Sequence, residues 1–452
     1  MKSIIFLFLI LAFAGVIHAQ KNEISLTIYN NDIAVVKDLR NISLKAGINE
    51  IEFTEVAESI DPTSVHVKSV NKPGQVNVVE QNFEYDLVNR EKILKKYIDE
   101  EISVVTKESG FFQGVLLSAS DGTIVLKMND GGIKILSNES IISVDFPKLP
   151  EGLITKPTLV WKINSPQTFD DRLEVSYLTS DINWHAEYVA VSKDDDRSLE
   201  LNSWVSIDNR SGAAYHDAKL KLVAGDVNLV RENIPRAMGK SYMVATDEMA
   251  APQFEERSFF EYHLYELQRR TTLKDNQTKQ IALIEGATAS VNKIYIFDER
   301  KYNQDIGVTL EFKNSKQNGL GIPLPMGTVR VYKEDVKDKS LEFIGEDRID
   351  HTPKDEKVRI YLGNAFDIKA TRKVINQKRL SDRASEETIE IELRNRKPEK
   401  VNILIVEHVW GDWTIRQTTH DYKKKDAYTV EFDVPVDAEK EVTVQYTITR
   451  KW

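Results

Sequence analysis

A two-residue alternation of apolar and polar side chains, interrupted by frequent turn-forming residues, constrains the fold of this chain more than any other feature. It is densest in residues 320–368, which read LGIPLPMGTVRVYKEDVKDKSLEFIGEDRIDHTPKDEKVRIYLGNAFDI. Successive side chains of a strand point to opposite faces of a sheet, so each such segment predicts a strand with one apolar face. Similar segments recur to the end of the chain without strand–helix alternation. We therefore predict a mainly β fold built from antiparallel β-sandwich domains.

The spacing of these segments divides the chain after residue 19 into three parts. Residues 20–82 indicate an N-terminal β domain, and residues 158–452 a C-terminal β-sandwich region. Between them, residues 83–148 carry the best helical pattern, at 86–99, and then five short strands with Asp-Gly turns. A helix followed by such strands is typical of a small SH3-like or Sm-like barrel. Residues 232–258 contain three of the six methionines and little periodicity, which predicts an exposed loop or linker.

The first 19 residues have the pattern of a secretory signal peptide. Lys2 precedes an apolar run over residues 4–17, and Ala19 supplies a small residue at the cleavage edge, although Ile17 is larger than is usual two positions earlier. The run is shorter than the roughly 20 apolar residues that a membrane-spanning helix needs, so an uncleaved anchor is the less favoured alternative. We expect an exported protein, periplasmic or extracellular and on the cell surface, with no transmembrane segment after signal removal.

Composition narrows both the partners and the chemistry. Lys and Arg number 61 and Asp and Glu 71, and the net charge of -10 does not favour binding to the phosphates of nucleic acid. The chain has no cysteine, which excludes thiol catalysis, cysteine-ligated metals and the lipid anchor of a lipoprotein. The histidines are scattered, and no complete phosphate-binding loop or common hydrolase motif occurs. We predict no cofactor, and the oligomeric state stays open.

An acidic group near residue 350 is one candidate site. Glu346, Asp347, Asp350 and His351 supply carboxylates and an imidazole, the groups that hydrolysis of glycans or peptides uses. Paired carboxylates suit glycoside hydrolysis only at particular separations, which a sequence does not reveal. We therefore favour the alternative, in which these residues cap a turn ahead of Thr352 and Pro353.

An acidic triplet, Asp194, Asp195 and Asp196, lies between two strand patterns and is a weak candidate for a metal site. Acidic turns of this kind bind Ca²⁺ in some secreted β proteins. No glycine or bidentate glutamate completes a known calcium loop here, so a solvated turn is the favoured interpretation.

The tryptophans provide the candidate binding residues. Trp410 and Trp413 flank a Gly-Asp pair and could stack on sugar rings, although tryptophan in a sandwich is more often part of the core. For these two residues we keep both possibilities open. For Trp184 and Trp204 we predict burial.

The C-terminal part of the chain, about 160–452, resembles the bacterial domain of unknown function 4139 family. Members of this family are secreted, and some are called mucoidy inhibitor A-like. The resemblance implies structural roles for the shared Gly, Pro and Trp, and it supplies no catalytic residues. Many relatives carry a long coiled coil where this chain has the helix and small barrel. The order of the matching pieces carries the resemblance: Trp184-His-Ala-Glu-Tyr188, Asn209-Arg-Ser-Gly212, Leu222-Val-Ala-Gly-Asp-Val227, Pro323-Leu-Pro-Met-Gly327, Gly345-Glu-Asp347, Thr352-Pro353 and Gly363-Asn-Ala-Phe-Asp367.

These observations favour a non-catalytic binding or scaffolding protein of the cell envelope or surface. Its partner would be an envelope protein or polysaccharide, held at exposed sheet edges or by the loop at 232–258. One alternative is an envelope glycan or peptide hydrolase that uses the carboxylates near residue 350. Another is a self-assembling surface subunit. The residues alone do not decide between these alternatives.

Overall fold

The computed structural model describes residues 22–85, 89–108, 110–148, 150, 154–193, 196–225, 227–228 and 253–452. Strands dominate the described chain, which confirms the predicted mainly β fold. None of its helices combines the length and apolarity that a membrane crossing requires in the part of the chain described here.

The first half of the chain holds the strands of the N-terminal sandwich and the insert. In chain order these elements are β1 (Glu23–Tyr29), β2 (Ile33–Leu44), β3 (Gly47–Thr54), β4 (Ile60–Ser69), β5 (Asn77–Glu84), α1 (Arg90–Lys96), β6 (Glu101–Thr106), β7 (Phe111–Ser120), β8 (Thr123–Met128), β9 (Ile133–Ser137), β10 (Ile141–Asp145), β11 (Thr158–Ser165), β12 (Phe169–Ser180), β13 (Ile182–Ser192), β14 (Ser198–Asn209) and β15 (Tyr215–Ala224).

The second half completes that sandwich and forms the C-terminal region. Its elements are β16 (Phe254–Phe259), β17 (Tyr262–Leu267), β18 (Thr271–Leu273), β19 (Gln277–Phe297), α2 (Glu299–Tyr302), β20 (Asp305–Lys313), β21 (Gly327–Glu334), β22 (Leu341–Ile349), β23 (Lys357–Ser381), β24 (Ala384–Asn395), β25 (Val401–His408), β26 (Asp412–Thr418), β27 (Lys423–Lys424), β28 (Thr429–Val436) and β29 (Glu441–Lys451).

The N-terminal strands are hydrogen-bonded to strands much later in the chain, so their sheets extend beyond residues 20–82. Strand β1 pairs in parallel with β15, β2 pairs with β12, and β11 lies between β3 and β5. One sheet, in the order β16-β17-β15-β1-β2-β12-β4, packs on the three-stranded sheet β3-β11-β5. Trp161 and Trp184, both fully buried, lie in the core of this sandwich. Alternation predicts which face of a strand is buried but not its partner, and here the partners are far apart in sequence.

The insert is an open five-stranded sheet in the order β10-β6-β7-β8-β9. No pairing joins β9 to β10 within the described residues, so the predicted small barrel is a bent sheet that does not close. Helix α1 is shorter than the predicted span of 86–99, and residues 86–88 lie outside the described chain. The Asn89 side chain caps α1 by accepting from the Lys92 amide, and Leu94 and Tyr97 pack into the insert core.

The C-terminal region contains a 13-stranded sheet whose main path is β22-β21-β13-β14-β19-β20-β23-β24-β29-β26. Strands β25, β27 and β28 join it through β19, so the far part of the sheet folds over as a second sandwich. Strands β19 and β23 are long enough to serve two cores. One core surrounds Tyr188 and Val331, and the other surrounds Phe297, Ile391 and Phe432.

The predicted loop at 232–258 is described only in its last residues. Residues 232–252 lie outside the described chain. Phe254–Phe259 is strand β16, paired with β17, so this end of the segment is not a loop.

Candidate functional site: a charged cleft in the C-terminal sandwich

In four strands of the C-terminal sandwich, the inward-facing positions switch from apolar to charged residues at the same end of the core. Each keeps the two-residue alternation of inward-facing side chains, but a charged residue takes the next inward position after the apolar ones. The series are Ile403, Ile405 and Glu407 on β25; Val444, Tyr446, Ile448 and Arg450 on β29; Leu393, Ile391, Ile389 and Glu387 on β24; and Ile368, Ala370 and Arg372 on β23. The interior face of the sandwich therefore ends in a cluster of four charged side chains.

These charges are paired in a defined geometry. Arg372 donates from Nε to Glu407 Oε1 at 3.0 Å and from Nη2 to Glu407 Oε2 at 3.1 Å. The Tyr446 hydroxyl donates to the same carboxylate. Arg450 Nη1 donates to Glu387 Oε2 at 2.7 Å. Bidentate guanidinium–carboxylate contacts of this type orient both side chains strongly.

The pKa values of the two donors to Glu407, Tyr446 and Arg372, are both raised. Burial raises the pKa of Tyr446 far above its usual value, and the adjacent Glu407 carboxylate raises it further. Burial lowers the pKa of Arg372, but the hydrogen bonds and charge of Glu407 outweigh that effect and the pKa is raised overall. Both donors therefore stay protonated at physiological pH.

The energetic balance of the network points away from a purely stabilising role. Glu407 and Arg450 expose only 5% and 7% of their surface. Moving charges out of water is costly, and apolar replacements of a buried ion pair are often neutral or stabilising. An apolar end to this core would serve stability at least as well, so the charges call for another explanation.

A rim of polar and aromatic groups surrounds the network. Asp298 caps α2 and lies 3.0 Å from Nε2 of His408. Glu299, the first residue of α2, is 3.5 Å from Arg372. Together these groups enclose an open cleft of about 230 Å³, here called the charged cleft, lined by Glu299, Arg300, Arg372, Val374, Glu387, Val406, Glu407, His408, Trp410 and Arg450.

Trp410 is the exposed aromatic residue of this cleft. It keeps 46% of its surface accessible, its ring centroid is 5.1 Å from that of Trp452, and the Arg450 guanidinium lies 5.7 Å from its ring. Gly411, at φ 74°, turns the chain directly after it; a Cβ there would come within 2.5 Å of the Lys451 carbonyl oxygen. The turn therefore requires glycine and sets the position of Trp410.

The structure separates the two tryptophans that the sequence left open. Trp413 is 9% exposed and donates from Nε1 to the Ala427 carbonyl at 2.7 Å, so it belongs to the core. Of the two, Trp410 is the one exposed to a ligand. Trp184 is buried as predicted, whereas Trp204 is half-buried.

The acidic group near residue 350 does not converge. Glu346 and Asp347 are consecutive on β22 and so point to opposite faces; Glu346 pairs with Arg330 at 3.4 Å, and Asp347 accepts from the Tyr361 amide at 2.7 Å. The Asp350 carbonyl accepts from the Thr352 hydroxyl at 2.8 Å, and His351 Nδ1 accepts from the Met326 amide at 3.1 Å. Glu346 and Asp347 thus contact neighbouring strands, while the Asp350 carbonyl and the His351 imidazole hold the turn that follows.

The acidic triplet is described only at Asp196, because Asp194 and Asp195 lie outside the described residues. Both carboxylate oxygens of Asp196 are engaged by ammonium groups, one from Lys293 and one from Lys333. Across the described chain, no three His, Asp or Glu side chains are placed to hold a metal ion. This geometry does not support the calcium interpretation at Asp196.

Arg372, Glu387, Glu407 and Arg450 were missed as site residues, although the sequence contains a signal for them. Each occupies an inward position in an otherwise apolar alternation. A charge in that position is unusual because charged side chains are rarely buried unless they are paired. A local sequence pattern does not show which of these charges pair with each other, since Arg372 and Glu407 are 35 residues apart.

Fold and site together define a modular β-sandwich protein with a charged, tryptophan-rimmed cleft in its last sandwich. The chain belongs to the family described as Domain of unknown function (DUF4139), whose model matches residues 173–452. This confirms the resemblance seen in the sequence, and the charged cleft lies inside the matched region. No protein in the curated set matches the chain.

Proposed function

We propose that this chain is an exported binding protein that holds a sugar residue of an envelope polysaccharide in the charged cleft, without acting on it chemically. The observation that carries the proposal is the exposed Trp410 beside a set of charged side chains that pair with each other in place of an apolar core.

The chemistry of the cleft suits a sugar ring. An indole presents a flat apolar face on which the C–H face of a sugar packs, while its edge remains available to polar neighbours. Guanidinium and carboxylate groups beside it offer donors and acceptors to ring hydroxyls. Because the ion pairs hold these side chains in place, little conformational entropy is lost when a ligand binds.

The size of the cleft limits what it can hold. Its volume of about 230 Å³ is below the range of about 300–1,000 Å³ typical of pockets for drug-sized ligands. One ring can enter, and the rest of a chain would have to leave through the open side. This arrangement fits recognition of one residue within a polymer.

Binding explains the cleft better than hydrolysis does. Hydrolysis of a glycoside requires a carboxylic acid that protonates the leaving group and a second carboxylate on the opposite side. Glu407 and Glu387 are each engaged by a guanidinium group. The candidate residues near 350 are spread over a seam and a turn. The signal-peptide pattern at residues 1–19 supports an envelope location for the protein.

Affinity electrophoresis against polysaccharide extracted from the envelope of the source organism tests this proposal. The wild-type chain should be retarded by the polysaccharide, and Trp410→Ala should weaken binding by about two- to tenfold, because an aromatic contact contributes about 0.5–1.5 kcal/mol beyond area burial. Phe366→Ala is the matched control, since Phe366 is a 90% exposed aromatic residue that does not line the cleft. Equal retardation of the Trp410 variant, or no retardation of the wild type, would contradict the proposal.

A further inference from the structure

A second cavity opens where two strands of the 13-stranded sheet meet without pairing. Strand β22 is bonded to β21, and β23 to β20 and β24, so β22 and β23 approach each other along an unbonded seam. Asp347 bridges the seam to the Tyr361 amide. Gly345 permits the close approach, since a Cβ there would lie 2.6 Å from the Leu362 carbonyl oxygen.

The cavity beside this seam has a volume of about 260 Å³ and is here called the seam cavity. Apolar side chains from three strands line one part of it, and polar groups line the rest. The apolar residues are Val308, Leu310, Ile344 and Leu362; the polar ones are Ser192, Asp196, Lys293, Tyr295, Lys333 and Asn364. A ligand in this cavity would therefore need an apolar body and a polar head.

The charged residues of the cavity determine whether the polar head of a ligand would be an anion or a cation. Lys293 and Lys333 both point their ammonium groups at Asp196, so two positive charges face one negative charge. Their side chains are 29% and 32% exposed, which leaves both within reach of a ligand. Burial raises the pKa of Asp196, but the hydrogen bonds from the two lysines lower it more, so the carboxylate remains ionised. Among the described residues that line the cavity, two ammonium groups therefore face one carboxylate.

We propose that the seam cavity binds a small amphiphilic anion, with a carboxylate head between Lys293 and Lys333 and an aliphatic body against Val308, Ile344 and Leu362. This site is separate from the charged cleft and shares no lining residue with it. A structural ion triad alone does not explain the apolar wall behind it, because half-buried apolar surface next to water is itself unfavourable.

Calorimetric titration of the full chain with octanoate, and with octanol as an uncharged probe of the same length, tests the inference. Octanoate should bind, and octanol should bind more weakly. Ile344→Trp fills the apolar part and should abolish octanoate binding, while Phe366→Ala, at an exposed side chain that lines neither cavity, should leave it unchanged. Folding of each variant is checked by circular dichroism.

The variant Asp196→Asn distinguishes a ligand site from a purely structural role of Asp196, Lys293 and Lys333. Removing the competing carboxylate frees both lysines, so octanoate should bind about two- to fivefold more tightly, the range that a partly exposed ion pair allows. Lys333→Gln should weaken octanoate binding. The proposal is overturned if octanoate does not bind, if Ile344→Trp leaves binding intact, or if Asp196→Asn leaves the affinity unchanged or reduces it.

Discussion

Arg372 and Glu407 face each other across the C-terminal sandwich, with Nε to Oε1 at 3.0 Å and Nη2 to Oε2 at 3.1 Å. Their strands, β23 and β25, place both side chains on the interior side, where their neighbours Ala370 and Ile405 are apolar and buried. The pair is the centre of the charged cleft. Because burying this ion pair costs free energy, replacing it by apolar side chains can keep the fold stable while removing the charged groups of the cleft. Stability and function can therefore be tested by separate variants.

Removing one partner of this pair should strongly destabilise the fold. Arg372→Met leaves the Glu407 carboxylate buried with only the Tyr446 hydroxyl, and a broken buried pair costs about 3–5 kcal/mol of unfolding free energy. Urea denaturation of the variant and the wild type measures the difference. A loss below about 1 kcal/mol, typical of exposed pairs, would show that the pair is effectively solvated.

Removing all three members of the contact between Arg372, Glu407 and Tyr446 should cost far less. The triple variant Arg372→Met, Glu407→Leu and Tyr446→Phe replaces every member of the contact by an apolar group of similar size. Complete apolar replacement of a buried pair is often neutral or stabilising, so its unfolding free energy should return to within about 1 kcal/mol of wild type. If the triple variant is as unstable as Arg372→Met, packing rather than charge determines stability at this position.

Alkaline pH should weaken the N-terminal sandwich through a buried tyrosine. Burial raises the pKa of Tyr215 from 10.0 to about 12. A raised pKa in the folded state leaves stability intact below pH 10, where both states are protonated, and removes it as the pH rises from 10 towards 12. Thermal unfolding measured across this interval should show a falling melting temperature.

Tyr215→Phe is the control for the alkaline effect. It removes the titrating group, although it also removes a 2.9 Å hydrogen bond with the Ser211 hydroxyl. We expect a lower melting temperature at neutral pH but a shallower decline above pH 10. The same decline in both proteins would assign the effect to the other buried tyrosines, among them Tyr177 and Tyr265.

Gly411 should be required for the position of Trp410. Gly411→Ala forces a side chain into a left-handed backbone conformation and against the Lys451 carbonyl, which costs about 1–3 kcal/mol. Urea denaturation measures this loss, and acrylamide quenching of tryptophan fluorescence reports the summed exposure of the accessible tryptophans, among them Trp410 and Trp452. Gly74→Ala is the matched control, since Gly74 also has positive φ but meets no atom within 4 Å. Equal effects of both variants would mean that conformation alone, not the contact with Lys451, sets the cost.

Strand faces were the part of the fold that followed most directly from sequence. Ile389, Ile391 and Leu393 are inward, as expected from their alternation with charged residues. Which strands pair could not be predicted from the sequence. For example, β1 pairs in parallel with β15, which lies nearly 200 residues later in the chain. Hydrogen-bonded pairing between distant strands depends on the whole chain packing at once, which local patterns do not encode.

Some individual residues of the candidate site could be predicted from the sequence, but their convergence in space could not. Trp410 was named from its residue type, but its difference from Trp413 depends on the turn at Gly411 and on the Ala427 carbonyl. Glu407 and Arg450 signal themselves as charges in inward positions. Their convergence arises from the sandwich geometry. Glu346 and Asp347 are neighbours in sequence, which suggested a pair of carboxylates. Consecutive residues of a strand point to opposite faces of the sheet, so these two side chains are directed away from each other.

Binding of envelope polysaccharide by the triple variant Arg372→Met, Glu407→Leu and Tyr446→Phe tests the central claim most directly. Its folding is verified first by circular dichroism and urea denaturation, and affinity electrophoresis then compares it with the wild type. We predict a folded protein with near-wild-type stability that no longer binds the polysaccharide. A folded triple variant that binds as well as the wild type would contradict the assignment of the charged cleft as the binding site.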